Sequence, residues 1–378
     1  MRTRVLANLA AAVLAAAILA GWGVDAVASC AVACQASDSP PLARSLAPAQ
    51  SATPAAPVKT AALKPSATAA TMPAPAESDV MRGARLQTAL ARSGFSPGLI
   101  DGRPGRKTRL ALEQFQAANG LVISGVADEA TAEALKTATG LDGVATAASS
   151  GSWTRMYRIT EADLDLVTGP IPTDWNERAL LEKSGYADLQ ELLGERGWCS
   201  ADFMASLNPG VNFATLTAGD EVVLPDVPDA LIGKGKGAAL PKLARLEVNL
   251  TEKYVRGFTD SGAQVMFMHC SIAKAQEKRP LGELKVKVVA MDPEYTFDPK
   301  DWPEIDNVTS KLKIAPGPRN PVGAAWVGLD KPGYGIHGTV RPQDIGKTGS
   351  HGCFRLANWD AARLARAVRI GMLVTVME

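Results

Sequence analysis

Histidine is scarce in this 378-residue chain, which has only three. A metal centre built on several histidines would consume nearly all of them. A surplus of one charge is also missing, since 40 Lys and Arg stand against 39 Asp and Glu for a formal net charge of +1. That balance excludes a dedicated nucleic-acid binder or a polybasic membrane-surface protein, both of which need a cationic excess. Five cysteines are too few for a disulfide-stapled scaffold, and the odd number leaves one thiol over unless it is modified. Aromatic residues make up only 5% and prolines number 25, so part of the length is not packed core. The remaining balance, 46% apolar with 21% charged, is that of a globular protein. At roughly 150 residues per domain the length implies two or three domains.

Arg2 and Arg4 precede an uncharged stretch from Val5 to Val24, followed by small residues at Ala26, Val27 and Ala28. This is the pattern of an export signal; the stretch is also about long enough to cross a bilayer, so an uncleaved membrane anchor competes with it. Val27-Ala28-Ser29-Cys30 is similar to the lipobox of bacterial lipoproteins, which would lipidate Cys30. All three readings assign residues 1–34 to export or anchoring and put the bulk of the chain outside the cytoplasm, in the periplasm or cell envelope. Residues 35–78 are Ala, Pro, Ser and Thr with few large apolar groups, and read as a disordered tether. Composition shifts at Gly140 to Ser152 and at Gly233 to Leu240 leave three folded units, residues 79–139, 153–228 and 241–378.

In the first unit, Leu86 and Leu90 form one helical stripe and Leu110, Leu112 and Phe115 another. Ile100-Asp101-Gly102 and Pro104-Gly105 supply turns, with Thr108 placed to cap the next helix. Ile100, Gly102, Thr108, Ala111 and Leu112 recur at an offset of 23 as Ile123, Gly125, Thr131, Ala134 and Leu135, so a turn-cap-helix unit is used twice. Together with Leu86-Gln87, Gly94, Phe115-Gln116 and Gly120-Leu121, this string resembles the helical peptidoglycan-binding domain of bacterial wall enzymes. The resemblance implies affinity for glycan or stem peptide without catalysis.

In the second unit Tyr157-Arg158-Ile159 alternates as a strand, Asp188 to Arg196 reads as a helix, and Glu221 to Leu224 as a second strand ending at Pro225. The run from Phe203 through Asn208-Pro209-Gly210 to Pro225 resembles the second half of a LysM carbohydrate-binding module. Thr168 to Ala187 is longer than such a module allows, so glycan binding and a spacer role both stay open. Cys199 reads as a small buried group.

The third unit opens with strand alternation. Leu246, Val248 and Leu250 share one face, and after a turn at Asp260-Ser261-Gly262 a strand runs from Val265 to Ile272. Cys270 shares a face with Met266 and Met268, and His269 points to the other, so Cys270 is core and not a nucleophile. Special residues are densest at Asn320-Pro321-Val322-Gly323, Tyr334-Gly335-Ile336-His337-Gly338 and Ser350-His351-Gly352-Cys353-Phe354-Arg355. A thiol near pKa about 8.5 needs a neighbouring base or cation to ionise. His337 lies 16 residues before Cys353, ample for two strand ends to meet across a loop, and the glycines permit the close backbone approach that main-chain oxyanion donors require.

This motif, with Pro280-Leu281-Gly282, resembles that of the L,D-transpeptidase or YkuD family over nearly the whole unit. The resemblance implies Cys353 as nucleophile, His337 as general base, the Gly338 carbonyl orienting the imidazole, and the amides of Gly352 and Cys353 stabilising the oxyanion. Ser350, His351, Arg355 and Tyr334 would shape the substrate site, with Arg355 a partner for a substrate carboxylate. The implied reaction forms 3→3 cross-links between peptidoglycan stem peptides through a thioester, with no cofactor and no metal; stem peptides and glycan strands are the partners. A zinc site from His337, His351 and Cys353 is chemically legitimate but lacks the spacing zinc enzymes show. Two other functions remain, an L,D-carboxypeptidase using water as acceptor and a non-catalytic wall-binding protein. The segment from Asp292 to Thr309, rich in Asp, Pro and aromatic residues, is a candidate gate over the site. The expected fold class is multidomain α+β: a helical peptidoglycan-binding bundle, a small mixed α/β LysM-like module and a mainly-β catalytic domain.

Overall fold

A computed structural model describes residues 78–141, 143, 152–229, 240–302 and 304–378. The export segment and nearly all of the tether expected above lie outside the described residues. The first unit consists of helices α1 (Asp79–Arg92), α2 (Arg106–Ala118) and α3 (Glu129–Thr139). Its duplicated turn is organised by two buried glutamines. Gln87 Oε1 accepts the N–H groups of Asp101 (3.1 Å) and Gly102 (2.9 Å), while its amide nitrogen donates to Thr108 Oγ1 (3.3 Å). Gln116 repeats the arrangement on Ser124 (3.0 Å), Gly125 (2.9 Å) and Thr131 Oγ1 (2.9 Å). Each turn closes on a glycine with positive φ, +70° at Gly102 and +67° at Gly125, which explains why glycine recurs there.

Thr108 is therefore not the cap expected from the sequence. Helix α2 starts after Gly105 with no side-chain cap, and Thr108 sits in its first turn as the acceptor for Gln87. The two turns also differ, for Ile100 is fully buried and Ile123 is exposed. Replacing Gln116 with alanine strands two amide donors and the Thr131 hydroxyl. We expect a loss of about 2–4 kcal/mol in urea unfolding.

The middle unit runs through β1 (Thr154–Arg158), α4 (Glu161–Leu164), α5 (Trp175–Arg178), α6 (Leu189–Arg196), α7 (Ala201–Leu207) and β2 (Glu221–Pro225). The two strands pair antiparallel, Tyr157 opposite Val222. Asp188 and Ser200 cap α6 and α7, accepting the N–H groups of Glu191 (2.8 Å) and Phe203 (3.2 Å). The surplus length noted at Thr168 to Ala187 has a destination, because it leaves this unit and lies against the third. Ser184 donates its N–H to Pro316 O (2.9 Å) and its hydroxyl to Ala315 O (2.8 Å), and accepts the Arg319 N–H (2.9 Å).

The third unit contains β3 (Arg245–Asn249), β4 (Tyr254–Phe258), β5 (Gln264–His269), β6 (Gly282–Met291), β7 (Tyr295–Phe297), β8 (Leu312–Ile314), β9 (Ala325–Leu329), β10 (Gly335–His337), β11 (Phe354–Arg355), α8 (Asn358–Ala367) and β12 (Leu373–Met377). Eight strands form one sheet in the order β11-β10-β9-β6-β12-β3-β4-β5, and β7 and β8 form a separate hairpin. The sheet curls until its ends meet. Just past β5, Ser271 donates to Arg355 O (2.8 Å) and accepts the Arg355 N–H (2.9 Å) on β11. Leu246, Val248, Met266, Met268, Cys270, Ile336 and Phe354 fill the interior with one face of α8.

The three units share a second core. Phe267 and Trp359 of the third unit pack with Leu90 and Phe95 of the first and Leu192 and Trp198 of the second. Trp198 stacks on Trp359 with centroids 5.7 Å apart, and Arg363 lies over the Trp198 ring at 5.2 Å. The loop after α1 extends the sheet at β5, where Ser96 donates to Phe267 O (2.9 Å) and Phe267 donates to Gly94 O (3.1 Å). Period-2 reading put His269 opposite Cys270. The structure buries it at this junction, its Nε2 3.0 Å from the Lys107 carbonyl oxygen. No helix among the described residues is long and apolar enough to cross a membrane.

Candidate active site

Strands β10 and β11 are parallel, with Ile336 opposite Phe354 and His337 opposite Arg355. Ile336 and Phe354 point into the barrel core, so alternation turns His337 and Cys353 to the outer face. There Cys353 belongs to an apolar cluster with Trp326, Trp302, Tyr295, Phe297 and Trp175. The ring of Trp326, directly opposite His337 on β9, lies 5.6 Å from the imidazole. Gly335 is glycine for a steric reason, since a Cβ there would strike the Trp326 indole at 2.5 Å.

His337 is fully buried, and its Nδ1 lies 2.7 Å from the Gly338 carbonyl oxygen. A carbonyl only accepts, so Nδ1 carries the proton and Nε2 keeps its lone pair. Nε2 has no hydrogen-bond partner among the described residues. Burial, reinforced by the Arg355 charge, pushes the imidazole pKa down to about 3, so the ring is neutral at physiological pH. Cys353 is disulfide-bonded in this structure, and only its reduced form carries a thiol. Its Sγ lies 3.5 Å from the Gly333 carbonyl oxygen. Cys199 and Cys270, in contrast, are buried free thiols; burial raises the Cys199 pKa to about 12 and pushes Cys270 higher still.

Ser350 shapes the turn that carries the cysteine. Its hydroxyl donates to Cys353 O (2.5 Å) and accepts the Gly352 N–H (3.3 Å). The Gly352 amide thus has an internal partner at long range, one that a developing oxyanion would have to displace. Arg355 is held within the chain. Its guanidinium donates to Gly349 O (2.6 Å) and Thr348 Oγ1 (3.1 Å) and so ties down the loop before Ser350. His351 lies 5.0 Å from the Trp302 ring and is shifted to lower pKa by burial and by Lys278. Tyr334 is half-buried on the barrel rim under the Lys331 ammonium, 4.7 Å from its ring. Among the described residues no three His, Cys, Asp or Glu gather as metal ligands.

The sequence reading missed the aromatic wall. The segment suspected as a gate, Asp292 to Thr309, contains β7 and Trp302, and it packs Tyr295, Phe297 and Trp302 beside Cys353. It also assigned no part to Asn358, whose Oδ1 accepts the Ala324 N–H (3.1 Å) beneath the site. A cysteine sulfur and a neutral imidazole on one face of neighbouring strands are the two groups that acyl transfer by cysteine and histidine requires.

Comparison with known proteins gives that chemistry a family. Residues 244–376 match the model described as "YkuD: L,D-transpeptidase catalytic domain", and residues 84–135 that described as "Putative peptidoglycan binding domain". Over 171 residues the chain is 28% identical to a Bacillus licheniformis protein named "Putative L,D-transpeptidase YkuD", covering 45% of this chain and 81% of the relative. A Bacillus subtilis protein named "Putative L,D-transpeptidase YqjB" is 34% identical over 111 residues, 28% of this chain and 55% of the relative. Among solved structures, an L,D-transpeptidase from Xylanimonas cellulosilytica aligns at 16% identity and TM-score 0.31, over 83% of this chain and all of that one. Residues 244–376 thus match an L,D-transpeptidase catalytic domain, that of a cysteine-dependent acyltransferase family, and residues 84–135 match a peptidoglycan-binding domain. Peptidoglycan is the substrate class that the two domains define together.

Proposed function

We propose that this chain forms 3→3 cross-links in peptidoglycan, with Cys353 as nucleophile and His337 as its base. The observation that carries the reading is the pairing of β10 with β11, which turns Cys353 and a neutral, Gly338-held His337 to one face. In the first step His337 Nε2 takes the thiol proton while Cys353 Sγ bonds to the carbonyl carbon of the third, L-centred stem residue. The carbonyl–nitrogen bond to the terminal D-alanine then breaks, and the proton passes from His337 to the departing amine. In the second step an amine on a neighbouring stem attacks the thioester, gives its proton to His337, and displaces the sulfur, which recovers that proton. The backbone amides of Gly352 and Cys353 face the oxyanion in both steps. Ser350 fixes their turn, Arg355 fixes the loop before it, and His351 and Tyr334 border the substrate.

The test is mass spectrometry of the reduced protein with a carbapenem and with purified muropeptides. A covalent adduct on Cys353 together with cross-linked product is the expected result. Shortened stems alone would make the protein an L,D-carboxypeptidase, and absence of any adduct would reduce the catalytic fold to a wall-binding scaffold. The substrate lies outside the cytoplasm, so the N-terminal residues serve export or anchoring, as an export signal, a membrane anchor or a lipid anchor at Cys30. The LysM-like middle unit adds a second contact with glycan.

Stem peptides carry free carboxylates, and a cleft of about 490 Å³ between the helical unit and the barrel suits them. Its lining sets Arg103, Arg106, Lys107, Lys253 and Lys347 against Asp101 and Glu252. Burial and the like charge of Lys347 lower the Lys107 pKa, a cost that a bound anion relieves. The double substitution Lys107→Glu with Lys347→Glu is expected to weaken cosedimentation with purified sacculi about 10-fold at low salt and much less at high salt.

A further inference from the structure

We infer that the middle unit is a built-in clamp on the active site, in which Glu195 positions His337 through Asn358 and Trp175 positions the aromatic wall beside Cys353. The inference rests on the assignment of Cys353 and His337 above.

Glu195 belongs to α6 of the middle unit, yet its carboxylate is spent on the catalytic domain. It accepts two hydrogen bonds from Asn358 Nδ2, at 2.9 Å and 3.3 Å, and one from the Tyr186 hydroxyl at 2.9 Å. It is not half of an ion pair with its neighbour, because Arg196 is committed to Asp163 (3.0 Å) and Asp229 (3.6 Å). A buried carboxyl group without a cation is costly, and an apolar residue would fill the space with no desolvation penalty. Burial accordingly raises its pKa to about 7. Such a group is explained by what it holds. Asn358 also donates to Pro318 O (2.9 Å), and its Oδ1 is wedged where a Cβ on either Gly323 or Gly338 would collide with it. Gly338 in turn supplies the carbonyl that holds His337 Nδ1. A continuous run of polar contacts and backbone packing thus joins α6 to the imidazole.

The second grip comes from the excursion of the same unit. Trp175, the first residue of α5, stacks on Phe297 with centroids 4.3 Å apart and lies 6.3 Å from Trp302. Trp302 in turn lies against His351, two residues before Cys353. Asn176 donates to Asn307 O (3.2 Å), and Asn307 donates to Asp174, so the helix turn carrying Trp175 is pinned to the segment it covers.

The full chain, reduced, is assayed with a disaccharide-tetrapeptide muropeptide as donor and acceptor, and Cys353 alkylation by iodoacetamide is followed against pH. Glu195→Ala is expected to lower kcat at least about 10-fold with KM unchanged and to shift the alkylation profile to higher pH. Glu195→Gln keeps an acceptor for Asn358 and is expected to restore both. Trp175→Ala is expected to raise KM about 5-fold or more with a smaller change in kcat. If Glu195→Ala does not fold, Tyr186→Phe, which removes one of the carboxylate's partners without changing shape, is expected to give the same alkylation shift in lesser degree. Wild-type kcat, KM and alkylation profiles in the Glu195 or Tyr186 variant and in the Trp175 variant would overturn the clamp. The site assignment fails separately, if Cys353→Ala and His337→Ala themselves retain turnover.

Discussion

Replacing His337 with alanine is expected to slow acylation of Cys353 by a factor of about 10² to 10⁴. The Cys353 sulfur lies in an apolar wall with Trp326 and Trp302, and in the reduced form its proton needs a base at hand to take it. The imidazole can serve because it is neutral, with its Nδ1 proton fixed on the Gly338 carbonyl. The sign of the shift sets the pH dependence. A ring pushed down to about 3 loses its lone pair only as pH falls through that value. Acylation of the wild type should therefore show no acid limb near pH 6.5, where an ordinary histidine titrates. Stopped-flow acylation by a carbapenem from pH 4 to 8 checks this. An acid limb at about 6.5, or an alanine variant as fast as wild type, would remove His337 from its role.

The largest effect on stability is expected at the junction of the three units. Trp359→Ala deletes a fully buried indole that stacks on Trp198 and closes the core shared with Leu90 and Phe95. Removing a buried tryptophan costs about 3–5 kcal/mol, a large part of the stability of a typical domain. The loss also falls where the units meet, so thermal unfolding is expected to split into two transitions. Differential scanning calorimetry of wild type and variant reads this directly. A single transition at the wild-type temperature would mean that Trp359 does not hold the units together.

The site motif was readable because its members are close in sequence. Ser350, Gly352, Cys353 and Arg355 occupy one turn and one short strand, and His337 is a single loop away. Strand alternation likewise sorted Met266, Met268 and Cys270 into the barrel and turned Phe267 and His269 the other way. Thr108 was misread because local chemistry suits a cap at that position, and the choice was made by Gln87, 21 residues earlier. The aromatic wall was missed for a different reason. Trp175, Tyr295 and Trp302 sit in a four-residue helix, a three-residue strand and an irregular turn, none long enough to show a period. Composition marked where the units divide, but it carried no trace of how they lock. The contacts of Glu195 with Asn358 and of Ser184 with Pro316 span 163 and 132 residues and follow no local pattern.

The bond between Ser271 and Arg355, with Gly94 to Ser96 laid along β5, leaves neither end of the eight-stranded sheet bare. A bare end is a template on which a foreign strand can grow, and self-templated growth is how many sheet proteins precipitate. The helical unit therefore also works as a selvedge that stops the weave from fraying. Stripping residues 79–139 would uncover the main-chain ladder beside Phe267, and the shortened molecule should be lost to insoluble fibres before any question of wall affinity arises.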